Sequence, residues 1–242
     1  LEFRRVLFRS SSALQYNTYG GASYTNIAIG HIAMRFNTTG DANIAIGYQS
    51  LNANTTGFRN LAVGYQALAG NTWGTYNTGL GHYALAANTT GTNNVAVGWQ
   101  ALATNTIGIY NTAVGYGAMS SNSTGQQNTA IGSSALAYNT YGVYNTAVGY
   151  NALVLNTTGN YNTAMGWWAL YNNNTGAYNT AVGVSSMQNN TYGLYNSAFG
   201  YASLQSNTTG TYNVGVGYQS LYNNTTGAYN TAVGHQALNT QS

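Results

Sequence analysis

The side chains able to move protons in this chain are few: His31, His82 and His235, with Glu2 and Asp41 as its two carboxylates and neither Cys nor Lys. Hydrolysis by paired carboxylates, or by a nucleophile and its base, needs such groups within hydrogen-bond reach of one another. Glu2 falls in a terminal stretch that reads as non-native, which leaves Asp41 alone. All three histidines directly follow members of a series of glycines spaced 17 residues apart, namely Gly30, Gly81 and Gly234. His31 and His82 are three intervals apart, about 14 Å if the intervals stack at β-strand spacing, too far to share a metal ion. The sequence therefore predicts no catalytic residue, no metal site, no cofactor and no enzyme. The histidines read as substitutes in a column that is otherwise mostly aromatic.

That column is the stronger candidate for chemistry, and the chemistry is recognition. It holds Tyr48, Tyr65, Trp99, Tyr116, Tyr150, Trp167, Tyr201 and Tyr218. Rings spaced along a groove make platforms for flat apolar surfaces such as sugar faces, and Tyr adds a polar tip. The competing reading packs these rings between neighbouring chains or over a thin core. A second tyrosine column, from Tyr76 and Tyr110 to Tyr229, is open to the same two readings.

The elements that position these columns follow from the period. The glycine recurs from Gly30 through Gly47, Gly64 and onward to Gly234 without insertion or deletion. A stack of identical coils has a reason to hold that register, because each coil buries its faces only against its neighbours. The residue four before the glycine is always Asn: Asn26, Asn43, Asn60, Asn77, Asn94, Asn111, Asn128, Asn145, Asn162, Asn179, Asn196, Asn213 and Asn230. Two before it stands Ala or Gly, and one before it an apolar residue; three after it comes Ala or Ser, then Leu or Met. Obligatory small residues predict a thin interior. The Asn series predicts a structural ladder of stacked amides. The expected fold is all-β, a parallel β-solenoid or β-roll of about thirteen 17-residue coils with two short strands per coil. At the usual strand spacing that makes a rod on the order of 60 Å long.

Composition agrees with stacking. The chain has no Pro, as suits strands that donate on both sides, and almost no charge. Like charges in one column would repel by roughly 1 kcal/mol per pair even in water. A cationic excess does not mark a nucleic-acid surface, since Arg4, Arg5 and Arg9 all lie within residues 1–10. That decapeptide, Leu1 to Ser10, matches a sequencing-library adapter translated in frame, and is set apart from the native chain. Residues 11–25 then form an irregular coil: Asn17-Thr18-Tyr19-Gly20 lies three residues further from its glycine than later turns do, which places an insertion at Gly21-Ala22-Ser23. Residues 26–242 form one continuous array. No apolar run is long enough to span a membrane. The last residue, Ser242, falls in mid-turn, from which either further chain or end-to-end stacking of copies is expected.

Each wide turn begins with Asn and closes with Gly, and several match the Asn-x-Thr glycosylation acceptor: Asn37, Asn54, Asn88, Asn156, Asn207 and Asn224. Turn chemistry is the simpler origin of that spacing.

The repeat Asn-Thr-Ala-Val-Gly-Tyr-x-Ala-Leu, and above all Asn26-Ile27-Ala28-Ile29-Gly30 and Asn43-Ile44-Ala45-Ile46-Gly47, resembles the head repeats of trimeric autotransporter adhesins. Their heads are left-handed parallel β-rolls joined in threes on the bacterial surface. The resemblance covers residues 26–242, with units longer than the family's by the width of the Asn-Thr-Thr-Gly turn. It implies a non-catalytic, extracellular adhesive rod at the bacterial cell surface, self-associating as a homotrimer and presenting outer columns to carbohydrate, host or matrix. The apolar column before the glycine would face the trimer axis. Phage tail-fibre shafts, placed on a virion, use similar repeats, and a self-assembling filament is a further alternative. An ice-binding solenoid ranks last: its Thr column, Thr112, Thr129, Thr146, Thr163 and Thr180, is interrupted elsewhere by Ile, Leu and Val.

Overall fold

In a computed structural model, which describes Leu7–Phe8, residues 12–15 and residues 26–239, each 17-residue repeat closes one turn of a parallel β-solenoid of about 12–13 coils. No helix occurs among the described residues. The chain divides into two compact units, Leu1–Thr124 and Gly125–Ser242. The first carries β1 (Leu7–Phe8), β2 (Ile27–Ile29), β3 (Ile44–Ile46), β4 (Leu61–Val63), β5 (Thr78–Leu80), β6 (Val95–Val97) and β7 (Thr112–Val114). The second carries β8 (Thr129–Ile131), β9 (Thr146–Val148), β10 (Thr163–Met165), β11 (Thr180–Val182), β12 (Ser197–Phe199), β13 (Val214–Val216) and β14 (Thr231–Val233).

Within each unit, successive strands pair in parallel and without slip. Ile44 lies opposite both Ile27 and Leu61, and Thr163 opposite both Thr146 and Thr180. At the beginning, Leu7 pairs with Ile27, a step of 20 residues rather than 17. That step agrees with a three-residue insertion, but the insertion itself at Gly21-Ala22-Ser23, with Glu2, Arg4, Arg5 and Arg9, lies outside the described residues. The pairing also puts Phe8 opposite Ala28.

Alternation along each strand sets inside from outside. In β9, Ala147 is fully buried while Thr146 and Val148 stay half-buried on the other face. Buried Ala is met from across the coil by buried Ala or Ser and by the Leu or Met column, Leu136, Leu153 and Leu170 among them. The interior is as thin as the small residues imply. At Gly215, an added Cβ would come within 2.7 Å of Ser203 Oγ and 3.0 Å of Ser220 Oγ. Those two hydroxyls fill the space and bond to each other at 2.9 Å.

The expectation of a second strand is corrected. The stretch after the glycine is a run of overlapping turns: Ala67 N–H donates to Gly64 O (3.4 Å), Ala69 N–H to Gln66 O (3.3 Å) and Asn71 N–H to Leu68 O (3.1 Å). Gln66 and Leu68 therefore adopt φ of 54° and 52°, the positive values that the third residue of a type II turn requires. For an L-residue this costs roughly 1–2 kcal/mol. Bonds between coils offset the cost, since Gln66 N–H reaches Tyr48 O at 2.8 Å and Leu68 N–H reaches Ala84 O at 2.9 Å. A thin coil has to reverse direction in a few residues, and turns do this where a strand would not.

The repeat glycines mark where that reversal starts. Gly149 has φ of 132°, and a Cβ there would stand 2.7 Å from the backbone oxygen of Gly166 in the next coil. Only glycine lets two coils approach so closely at this corner.

Candidate binding surface

Two amide systems seal the interior and thereby define which columns remain free for recognition. In the series from Asn26 to Asn230, side chains bridge to backbone. Asn43 Nδ2 donates to Gly57 O (2.8 Å), and Asn43 Oδ1 accepts the backbone N–H of Asn60 (2.9 Å). Side-chain contacts between neighbours in this series are longer, as from Asn60 Nδ2 to Asn43 Oδ1 at 3.1 Å. Shorter bonds between asparagine side chains run instead through the wide turns. Asn54 Nδ2 donates to Asn37 Oδ1 (2.7 Å) and to Gly57 O (3.0 Å), while Asn54 Oδ1 accepts from Asn71 Nδ2 (2.8 Å). In the second unit, Asn156, Asn173, Asn190, Asn207 and Asn224 continue the same pattern. Among the described residues, Asn239 Oδ1 is the one buried side-chain polar atom without a partner.

These bonds agree with turn chemistry as the origin of the Asn-x-Thr spacing. Asn37, Asn54, Asn88, Asn156 and Asn207 are fully buried, and Asn224 is 3 % exposed. A sugar-transferring enzyme needs a free Nδ2, and here both amide hydrogens are engaged, as Asn88 shows toward Asn71 Oδ1 and Gly91 O. The turn threonine is tied down as well: Thr55 Oγ1 donates to Thr72 O at 3.0 Å. The next residue along, as at Thr56, points outward.

The aromatic column after the glycine lies outside rather than over the core. Tyr48, Tyr65, Trp99, Tyr116, Tyr150, Trp167, Tyr201 and Tyr218 are 37–58 % exposed. Its rings stack in short runs: His31 on Tyr48 on Tyr65 on His82, with centroids 5.1 Å apart for the tyrosine pair, and Trp99 on Tyr116 at 4.6 Å. Tyr201, Tyr218 and His235 form another run, whereas Tyr150 and Trp167 meet edge to face. The histidines thus occupy aromatic stacking positions. Among the described residues, no group of three His, Cys, Asp or Glu side chains could hold a metal ion.

The second tyrosine column is the more regular. In the second unit Tyr144, Tyr161, Tyr178, Tyr195, Tyr212 and Tyr229 form one unbroken parallel stack with centroids 4.8–5.0 Å apart and planes within 7°. Every one of these residues has φ of 56–59°. The sequence shows which residues recur here but gives no sign of that backbone state. In the first unit the same column reads Ala42, Arg59, Tyr76, Asn93 and Tyr110, and no such stack forms. Arg59 instead lies over the rings of Phe58 (5.9 Å) and Tyr76 (5.3 Å) and donates to the Tyr76 hydroxyl.

Compared with known proteins, the chain matches no family model, no curated sequence and no solved structure. Function has to be read from the columns themselves. Among the described residues no helix is long and apolar enough to cross a membrane.

The strands present a third outer surface. Ile131, Met165, Phe199 and Val216 are 36–43 % exposed, and the column they share is apolar throughout. Two residues earlier on the same face stand Thr129, Thr146, Thr163 and Thr180, followed by Ser197 and Val214. The sheet face is therefore half apolar, regular and uncovered within the chain.

Proposed function

We propose that this chain is a non-catalytic adhesive rod that associates with copies of itself, most closely comparable to the head of a trimeric bacterial surface adhesin. The observation that carries the reading is the uncovered apolar column on the sheet face, Ile131, Met165, Phe199 and Val216 in the second unit. A regular row of apolar side chains in contact with water marks an interaction surface. Copies packed about a common axis would cover it and leave the stacked rings on the outside as the contact surface for carbohydrate, host or matrix. The extracellular or virion location belongs to the same proposal, as does the tail-fibre shaft, which would use the column in the same way. The near absence of charge among the outer columns suits contact with neutral, hydroxyl-rich surfaces.

Two experiments test the reading. Sedimentation equilibrium at micromolar concentration is expected to find no stable monomer, and Met165→Asp with Phe199→Asp is expected to release a folded one. A wild-type chain that persists as a folded monomer would count against assembly. Beads coated with the chain are expected to be retained on polysaccharide- or matrix-coated surfaces and released by soluble chain. The ice-binding alternative predicts thermal hysteresis, for which the interrupted Thr column offers little support.

A further inference from the structure

The second tyrosine column has a gap, and the gap is lined with chemistry found nowhere else in the described chain. At Ala42 a methyl group stands where Tyr76, Tyr110 or Tyr144 carry a ring. The missing side chain leaves a hollow of about 240 Å³ bounded by Thr39, Asp41, Ala42, Thr56, Phe58 and Arg59. Among the described residues, formal charge rests on Arg35, Asp41 and Arg59, so two of the three charged side chains meet at this one hollow. Charge is disfavoured in a stacked column, which makes its concentration here informative.

Each lining group is held in a usable state. Asp41 Oδ1 accepts the backbone N–H of Ala42 at 2.7 Å, which fixes the carboxylate plane and leaves its other oxygen open. The Arg59 guanidinium is engaged by the Tyr76 ring and hydroxyl. Phe58, 39 % exposed, stands edge to face with Tyr76 at 5.3 Å. Thr39 and Thr56 lie one residue beyond the threonines whose hydroxyls are committed to backbone, Thr38 to Thr55 O and Thr55 to Thr72 O.

We infer that this hollow is a binding site for a single neutral saccharide residue. The open oxygen of a fixed carboxylate accepts a hydrogen bond from a ring hydroxyl, and this charge-assisted bond is stronger than a neutral one. Phe58 supplies an apolar surface for the C–H face of the sugar, and the threonine hydroxyls complete a polar rim. The volume is below the roughly 300–1,000 Å³ of sites that enclose drug-sized ligands, as suits one ring of a longer glycan held at an open surface. The inference deepens the adhesive reading by naming a site and a ligand class, but it stands on the geometry of the hollow.

The decisive variant is Ala42→Tyr. Ala42 already has φ of 53°, close to the 57° of Tyr76, so the backbone accepts the ring that fills this position elsewhere. The whole chain would be titrated by calorimetry and saturation-transfer NMR with methyl α-mannoside, methyl β-galactoside and methyl N-acetyl-β-glucosaminide. Millimolar binding of at least one glycoside is expected, with loss in Ala42→Tyr and about tenfold weakening in Asp41→Asn, the effect of losing one charge-assisted contact. Phe58→Leu is expected to weaken it as well. Unaltered melting of the variants separates loss of binding from loss of fold. Absence of binding by all three glycosides, binding indifferent to Ala42→Tyr and Phe58→Leu, or preferential binding of free glutamate or arginine would each overturn the assignment. If the glycosides fail while coated beads still adhere, this site falls and the adhesive reading stands; if they bind here while beads do not adhere, the reverse holds.

Discussion

The two faces of a single strand obey different rules. In β9 to β11 the inward position is Ala147, Ala164 and Ala181, all fully buried, while one residue further the outward position runs Val148, Met165 and Val182. The asparagines that seal the coil never vary, yet the outer column after the glycine passes through Ser133, Tyr150, Trp167, Val184, Tyr201, Tyr218 and His235. The contrast shows what stacking constrains. An inward residue must fit the space and hydrogen bonds left by the coils on both sides, whereas an outward residue meets mainly its own copies and water. Stability is therefore held by the inner columns, and the outer ones are left free to vary.

That division can be broken most severely at the corner glycine. Gly149→Ala places a methyl against the Gly166 carbonyl at a backbone angle L-residues avoid, and is expected to cost more than about 4 kcal/mol in denaturant unfolding. Next is Asn162→Asp. Asn162 Nδ2 donates to Gly176 O at 2.8 Å, and a carboxylate would turn that donor into a buried charge facing a carbonyl. A loss of about 3–5 kcal/mol is expected, with a shift in melting temperature as the check.

The register, the small interior and the need for asparagine were legible before any coordinates, because each follows from spacing and side-chain size. Other features were not. Leu68 and Gln66 carry no local preference for positive φ, and bonds to neighbouring coils impose it against propensity. The Asn-x-Thr triplets looked like acceptors because a sequence shows the triplet but not the burial of Asn54 or its bond to Asn37. The hollow beside Asp41 had one sign, an alanine in a column of tyrosines, and Asp41 and Arg59 stood out only as rare charges.

Smaller effects sharpen the comparison from both sides. Ala147→Val overfills the thin interior and is expected to cost about 1–3 kcal/mol by the same unfolding assay. Tyr178→Ala removes the third ring of the six-membered stack, whose neighbours lie 4.9 and 4.8 Å away. A loss of about 0.5–1.5 kcal/mol is expected there, with a reduced near-ultraviolet circular dichroism signal from the coupled rings. If the tyrosine change destabilised the chain more than the buried alanine change, the assignment of stability to the inner columns would be wrong.

All of this depends on each residue lying over its copy 17 positions on, and spin labels read that directly. The chain has no native cysteine to interfere. Tyr161→Cys and Tyr178→Cys, labelled together with a nitroxide, replace two rings whose centroids are 4.9 Å apart. Stacked coils predict a spectrum collapsed toward a single exchange-narrowed line, while each label alone gives three lines. A doubly labelled chain whose spectrum is the sum of two isolated nitroxides would contradict the stacked solenoid.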